Sequence, residues 1–288
     1  MDIFPQLVAN SIVSGAIYAV LVLGFNLIFS TAKFIDIGYG VMVVVGGYAG
    51  FYFMKMLGLS LWVGVPLAVL LSGVLSLAVY KVVYAPLRAR KASSSVLLIA
   101  SLGVLTFIQA IVAILFTSQF QTLANLLPGN PTLEFFGGTM TAIQLVTLAI
   151  AVVLSLALFL LLRFSMFGKA LIAVSDDEEV AKMVGINTEK NIGFVFFIAG
   201  CIGGLAGLLI GFDTGIEPTM GLLWLLSVIS ASIVGGIGNL YGGIAGAFLV
   251  AFIENFGIWK VSGEWRLAIA FTVLLLFLIW KPKGLFPR

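Results

Sequence analysis

Long stretches without a single charge constrain this chain more than any other feature. From Asp2 to Lys33 there are 30 consecutive uncharged residues, and from Glu217 to Glu254 there are 36. A helix of about 20 mostly apolar residues spans a bilayer, so each gap is a candidate crossing. The remaining gaps are 18 residues (Asp36 to Lys55), 25 (Lys55 to Lys81), 42 (Lys91 to Glu134), 28 (Glu134 to Arg163) and 22 (Lys190 to Asp213). They predict spans over Val8–Phe29, Tyr39–Met54, Leu61–Tyr80, Val96–Phe116, Thr141–Leu162 and Ile192–Gly211. A final apolar run, Leu267–Trp280, holds 14 residues, and Arg266 and Lys281 reach out from its ends. The runs are continuous rather than alternating, which excludes a membrane β-barrel.

The 36-residue run is too long for one crossing, because a single helix would extend roughly 54 Å at 1.5 Å per residue. Five glycines (235, 236, 238, 242 and 243) fall within nine residues at its middle. Each costs about 1 kcal/mol relative to alanine inside a helix. Two short helices meeting at a nonhelical break over Gly235–Gly243 are the expected solution. Such breaks are tolerated at membrane depth where protein or a cavity surrounds them, and they often line a transport path. The count becomes nine crossings, with eight to ten as the range. The fold class is an all-α polytopic bundle, with residues 1–288 as a single transmembrane domain.

Composition agrees. Of 288 residues, 61% are hydrophobic and 9% charged, far from the balance of a soluble domain. One cysteine and no histidine exclude a disulfide framework, a Cys/His zinc site and histidine acid–base chemistry. No cofactor is expected. Placing the C-terminus in the cytoplasm puts 12 Lys and Arg residues inside and 3 outside (Lys55, Lys260 and Arg266). The N-terminus then lies outside, and its first ten residues lack Lys and Arg, which argues against a signal peptide. Thr117–Asn130, with Pro128, reads as part of an ordered external loop.

Asp36 and Glu254 fall near span ends and read as interfacial, so no deep acidic relay for an ion-coupled carrier is expected. The Gly168-Lys169 pair is preceded at the P-loop position by Arg163 rather than glycine, so the chain carries no ATP site and is not read as an enzyme. The cytoplasmic loop 165–190 is the informative one. Ser175 followed by Glu178 has the capping-box spacing, Gly185 stands where a helix stop belongs, and the pattern predicts a helix over Asp176–Val184. Val180, Met183 and Val184 would share one apolar face, which calls for a protein partner.

Several motifs occur in order. The loop carries Gly168-Lys169-Ala170, Ala173, Asp177, Ala181 and Gly185-Ile186-Asn187; Pro218–Gly221, Gly235–Gly242 and Glu254 follow; Lys281–Phe286 ends the chain; Gly15–Ala19 and Ala85–Arg88 stand near the front. Together they resemble the membrane-spanning permease subunits of branched-chain amino-acid ABC importers, across almost the whole chain. The resemblance implies alternating access in the cytoplasmic membrane. It also implies two cytoplasmic ATPase subunits, a second permease subunit that is often a different chain, and a periplasmic or lipid-anchored binding protein. Gly168, Lys169, Ala173, Asp177, Val180, Ala181, Met183 and Gly185 would couple to the ATPase. Asp36, Tyr39, Gly40, Gly235, Gly236, Gly238 and Asn239 would line the path or gate. Asp36, Tyr39 and Val41 replace the Asn, His and Glu usual in the family, which leaves urea or short amides as an alternative cargo.

Overall fold

The computed structural model describes residues 3–127, 129, 131–135, 137–281 and 284–286. Asp2, Pro128, Asn130, Pro282, Lys283 and Arg288, used above, lie outside the described residues.

The helices follow the charge gaps. Helix α1 (Ile3–Ala32) is followed by α2 (Tyr39–Gly50), which a π-helical segment extends to Met56. Helix α3 (Leu61–Val79) continues through a π turn, Tyr80–Tyr84, into α4 (Ala85–Ala89). Then come α5 (Ser94–Phe116), α6 (Ala142–Phe164), α7 (Met166–Asp176), α8 (Glu178–Met183), α9 (Thr188–Asp213), α10 (Met220–Gly235), α11 (Leu240–Lys260) and α12 (Arg266–Trp280). Among the described residues, seven helices are long and apolar enough to cross a membrane. Helices α2 and α10 are shorter, 12 and 16 residues, and the nine expected crossings would need both of them.

The all-α expectation has one exception. The long loop after α5 carries an antiparallel hairpin, β1 (Thr132–Phe135) and β2 (Gly138–Thr141). Its neighbours define one face of the bundle. Gln6 of α1 holds Thr139 by backbone and side-chain bonds, and Gln121 bridges Ile216. The opposite face carries the ends of α1, α4, α10 and α12 together with α7 and α8.

Helix α1 is the axis, packing along α11, α9, α6 and α10. Every residue of α2 is buried. The contact between α2 and α9 is made by glycines: a Cβ on Gly207 would overlap the Val43 carbonyl, and one on Gly46 would overlap the Gly204 backbone. Small residues allow this approach, which is where membrane helices gain their packing energy. Helix α3 meets α9 through hydroxyls. Ser72 Oγ donates to the Met42 and Gly200 carbonyls (2.9 Å each), and Ser76 Oγ to the Phe196 carbonyl (2.7 Å). Serines can satisfy themselves on a neighbouring backbone, so they cost little inside such a bundle.

Candidate coupling surface and helix break

The loop after α6 forms two helices rather than the single predicted one. Ser165 caps α7 by accepting from the Gly168 N–H (2.8 Å). Ser175 is not the cap of the following helix. It lies buried inside α7, beside Leu171 and Val174, and its Oγ donates to the Ser30 carbonyl of α1 (2.8 Å). That apolar face carries α7 one residue further, to Asp176. Asp177 then caps α8, accepting from Glu179 N–H (2.9 Å) and Val180 N–H (3.1 Å). The predicted stop is present: Gly185 has φ +86°, Gly185 N–H donates to Lys182 and Ile186 N–H to Ala181.

The proposed coupling residues therefore divide. Ala181 is buried, Ala173 is half-buried, and Gly168 packs so tightly on the carbonyls of Leu161 and Leu162 that a Cβ would overlap them. Lys169, Asp177, Val180, Met183 and Gly185 are exposed. Val180, Met183 and Val184 are 54%, 83% and 71% exposed, an apolar patch turned away from the bundle. The inner side of α8 is anchored by charge. Glu178 Oε2 accepts from Arg88 at the end of α4 (2.6 Å), while Oε1 pairs with Lys182 (2.8 Å) and accepts from Thr188 Oγ1 at the start of α9 (3.2 Å). Partial burial pushes the Glu178 carboxyl up, but the Lys182 bond and the Arg88 charge outweigh it and hold it below the usual glutamate range.

The glycine break is real and narrower than expected. Gly235 is the last residue of α10, and Gly242 and Gly243 are already inside α11, so only Gly236–Asn239 is nonhelical. Gly236 has φ +114° and Gly238 φ +80°, which only glycine adopts without strain. Gly242 and Gly243 instead serve close packing, against Gly235 and Asn26. Asn239 caps α11 through Tyr241 N–H (3.0 Å) and Gly242 N–H (3.1 Å). Asn26 of α1, fully buried, organises the break. Its amide donates to the Asn239 carbonyl (3.0 Å), and its oxygen accepts from Gly238 N–H (3.3 Å) and Ser232 Oγ. The tail closes over it: Leu285 N–H donates to Val234 O (2.9 Å) and Phe286 N–H to Gly235 O (3.1 Å). These are carbonyls that a helix C-terminus leaves unsatisfied.

Asp36 and Glu254 are both buried within the protein. Asp36 is 3% exposed and accepts from Tyr84 OH (2.7 Å). Glu254 is fully buried, accepting from Tyr18 OH of α1 (2.6 Å) and Ser227 Oγ of α10 (3.1 Å), with Arg266 Nε at 3.8 Å. Tyr18 and Ser227 stand near the middle of their helices, so this carboxylate is deep in the bundle. Tyr39 is buried against Gly24 and Gly203 without a hydrogen-bond partner for its hydroxyl, and Gly40 lies on the Gly221 carbonyl. Asp36 and Tyr39 are thus near the start of α2, whereas Gly235–Asn239 sits under Asn26 and the tail. Asn26, Tyr18 and Arg88 carried no sequence signal as partners; an asparagine deep within a 30-residue uncharged run, whose other asparagine, Asn10, lies near its start, was the one hint.

This bundle, with a helical loop exposed on one face and a glycine-broken helix pair, belongs to a class of multi-pass transport permeases. The sequence profile described as branched-chain amino acid transport system / permease component matches residues 7–278, and the chain belongs to that family. Among its relatives is the high-affinity branched-chain amino acid transport system permease protein LivH of Escherichia coli (strain K12), 27% identical over 297 residues, with 99% of this chain and 96% of that protein covered. BraD of Pseudomonas aeruginosa, of the same description, is 25% identical over the same shares. In fold, the chain is similar to PsaBC from Streptococcus pneumoniae in complex with Fab, with a TM-score of 0.54 at 15% identity, covering 98% of this chain and 93% of that one.

Proposed function

We propose that this permease subunit moves branched-chain or related amino acids through an ATP-driven importer by alternating access. Residues 1–288 act as one transmembrane domain, and loop 165–190 couples it to the motor. Two ATPase subunits form the motor, one of them docking on the exposed face of α8, a second, different permease subunit completes the path, and a periplasmic or lipid-anchored binding protein delivers cargo. The C-terminus faces the cytoplasm and the N-terminus the outside, in agreement with the charge count and with α8 sharing a face with the tail.

The observation that carries this reading is the apolar patch Val180, Met183 and Val184 beside a salt-bridged anchor. A six-residue helix gains little by itself, and a patch so exposed fits a partner surface. Family membership, rather than a lack of deep acids, separates this reading from an ion-coupled carrier, since Glu254 is deep after all. The gate is assigned to Gly236, Gly238 and Asn239 with Gly235 at their edge, and the α2 start, with Asp36, Tyr39 and Gly40, is assigned to the path.

The test is co-purification with the cognate ATPases and leucine uptake in proteoliposomes. The double variant Val180→Asp/Met183→Asp should reach the membrane, lose the ATPases and lose uptake, because unpaired charge buried at an interface costs several kcal/mol. Normal assembly and uptake would overturn the docking assignment. Uptake of urea but not leucine by the intact system would overturn the cargo.

A further inference from the structure

Arg88, near the end of α4, bonds two further elements that must move together, α1 and α8. Its Nη1 donates to the Ala32 carbonyl at the end of α1 (2.9 Å), and its Nη2 to Glu178 of α8 (2.6 Å). Its side chain is 17% exposed. Arg88 closes a single continuous helical rod, Leu61–Ala89, that crosses the whole bundle. One turn earlier on that rod, Tyr84 OH holds Asp36 in the connection from α1 to α2 (2.7 Å). Further along, Ser72 and Ser76 fasten the rod to α9. A displacement of α8 therefore reaches α1, α2 and α3 through one guanidinium, beside the direct bond of Glu178 to Thr188 of α9 and that of Ser175 in α7 to Ser30 of α1.

We propose that Arg88 is the positioning residue that transmits motion of α8 to the membrane helices, with Glu178 as its fixed counterpart. The proposal rests on the reading of α8 as the coupling helix. The residue type supports it. Arginine offers a rigid planar fork of donors, which holds two acceptors on two different elements at fixed angles. Lysine keeps the charge but presents a flexible point donor. Glu178 matches, with one oxygen for Arg88 and the other for Lys182 and Thr188. The competing route is covalent, from α8 through Gly185 into α9, and needs no arginine.

The experiment uses the complete transporter in proteoliposomes, measuring ATPase co-purification, ATP hydrolysis and labelled leucine uptake per ATP. Arg88→Lys and Glu178→Gln should assemble and hydrolyse ATP, while uptake per ATP falls about tenfold, the order expected when one charge-assisted hydrogen bond is lost. A purely structural role would lower the amount of assembled complex and leave uptake per ATP unchanged. Unchanged uptake per ATP in Arg88→Lys and Arg88→Ala overturns the proposal in favour of the covalent route. A second arm covers failed assembly: Arg88→Cys with Glu178→Cys, in a Cys201→Ser background, joined by a short reducible thiol spacer. A rigid link predicts that uptake survives joining. Uptake that stops on joining and returns on reduction shows that the pair must separate, which also overturns it. If the unaltered chain binds no ATPase, the coupling reading itself has failed.

Discussion

Helices α1 and α6 are both long and apolar, yet they occupy opposite environments. The most apolar window of α6 has a mean hydropathy of 3.0 and is 17% buried inside the protein; that of α1 has 2.2 and is 83% buried. Helices α9 and α12 repeat the contrast in burial, at 72% and 11%, but with the hydropathies reversed, 2.3 and 1.7. In a membrane the apolar solvent is outside, so helices of either kind stay apolar, and it is the placement of small and polar residues that marks the interior. The interior belongs to segments rich in glycine, serine and the few buried polar groups, Asn26, Asp36, Glu254 and Asn255. Their polar atoms find partners only within the protein.

The sharpest way to break this comparison is to make the same substitution in both regions. Gly207→Leu drives a side chain into the Val43 carbonyl, whereas a Cβ at Gly103, exposed on α5, meets no atom within 4 Å. Gly207→Leu should abolish monodisperse protein in detergent, exceeding the usual overpacking penalty of about 1–3 kcal/mol. Gly103→Leu should leave size-exclusion profile and melting temperature unchanged. Equal tolerance at both sites would contradict glycine-mediated packing.

A smaller effect should follow from Glu254→Ala, which leaves the buried hydroxyls of Tyr18 and Ser227 without their acceptor. The expected loss is about 1–3 kcal/mol, read as a lower melting temperature. Thr106→Ala on α5, whose hydroxyl bonds its own helix at Leu102 and Gly103, should change stability by no more than about 0.5 kcal/mol. Smaller again is Gly236→Ala. Its positive φ costs about 1–2 kcal/mol, and the Cβ would lie 2.5 Å from the Phe286 carbonyl oxygen. Gly263→Ala, with open space around it, should be silent in the same melt. Transport should fall with Gly236→Ala and not with Gly263→Ala.

The smallest expected effect is a pH response at α8. Glu178 is held below its ordinary range in the folded protein. Its pairing therefore contributes fully above the unfolded-state value and is lost as pH falls through the lower folded value. A spin label at Val184→Cys should keep its mobility from neutral pH down through the ordinary glutamate range and loosen only below it. Loosening between pH 5 and 7 would show that Arg88 and Lys182 do not hold the carboxylate.

Much of the fold was legible because charge is so costly in hydrocarbon. The gaps between charged residues located every long helix, and the glycine cluster located the break. The errors have physical causes. Ser175 and Glu178 satisfy the capping-box spacing, but burial of Leu171, Val174 and Ser175 against the end of α1 extends α7 and passes the cap to Asp177. Gly242 and Gly243 were counted within the nonhelical break, whereas they lie inside α11 and pack against Gly235 and Asn26. Asp36 keeps its place beside the helix ends but is buried, and Glu254 looked interfacial because it lies toward the end of α11 in sequence. Their partners, Tyr84 and Tyr18, are 48 and 236 residues away.

The sequence by itself determined that lipid is the solvent, where the chain crosses it, where the crossing helices break, and which family the motifs resemble. These are properties of local composition, set by the free energy of moving each segment out of water. Tertiary structure alone decided which of the apolar helices forms the axis, that Asn26 and the tail clamp the glycine break, and that Arg88 joins α8 to α1. Those outcomes depend on the approach of backbones and on single hydrogen bonds between distant residues, to which one-dimensional apolarity is blind.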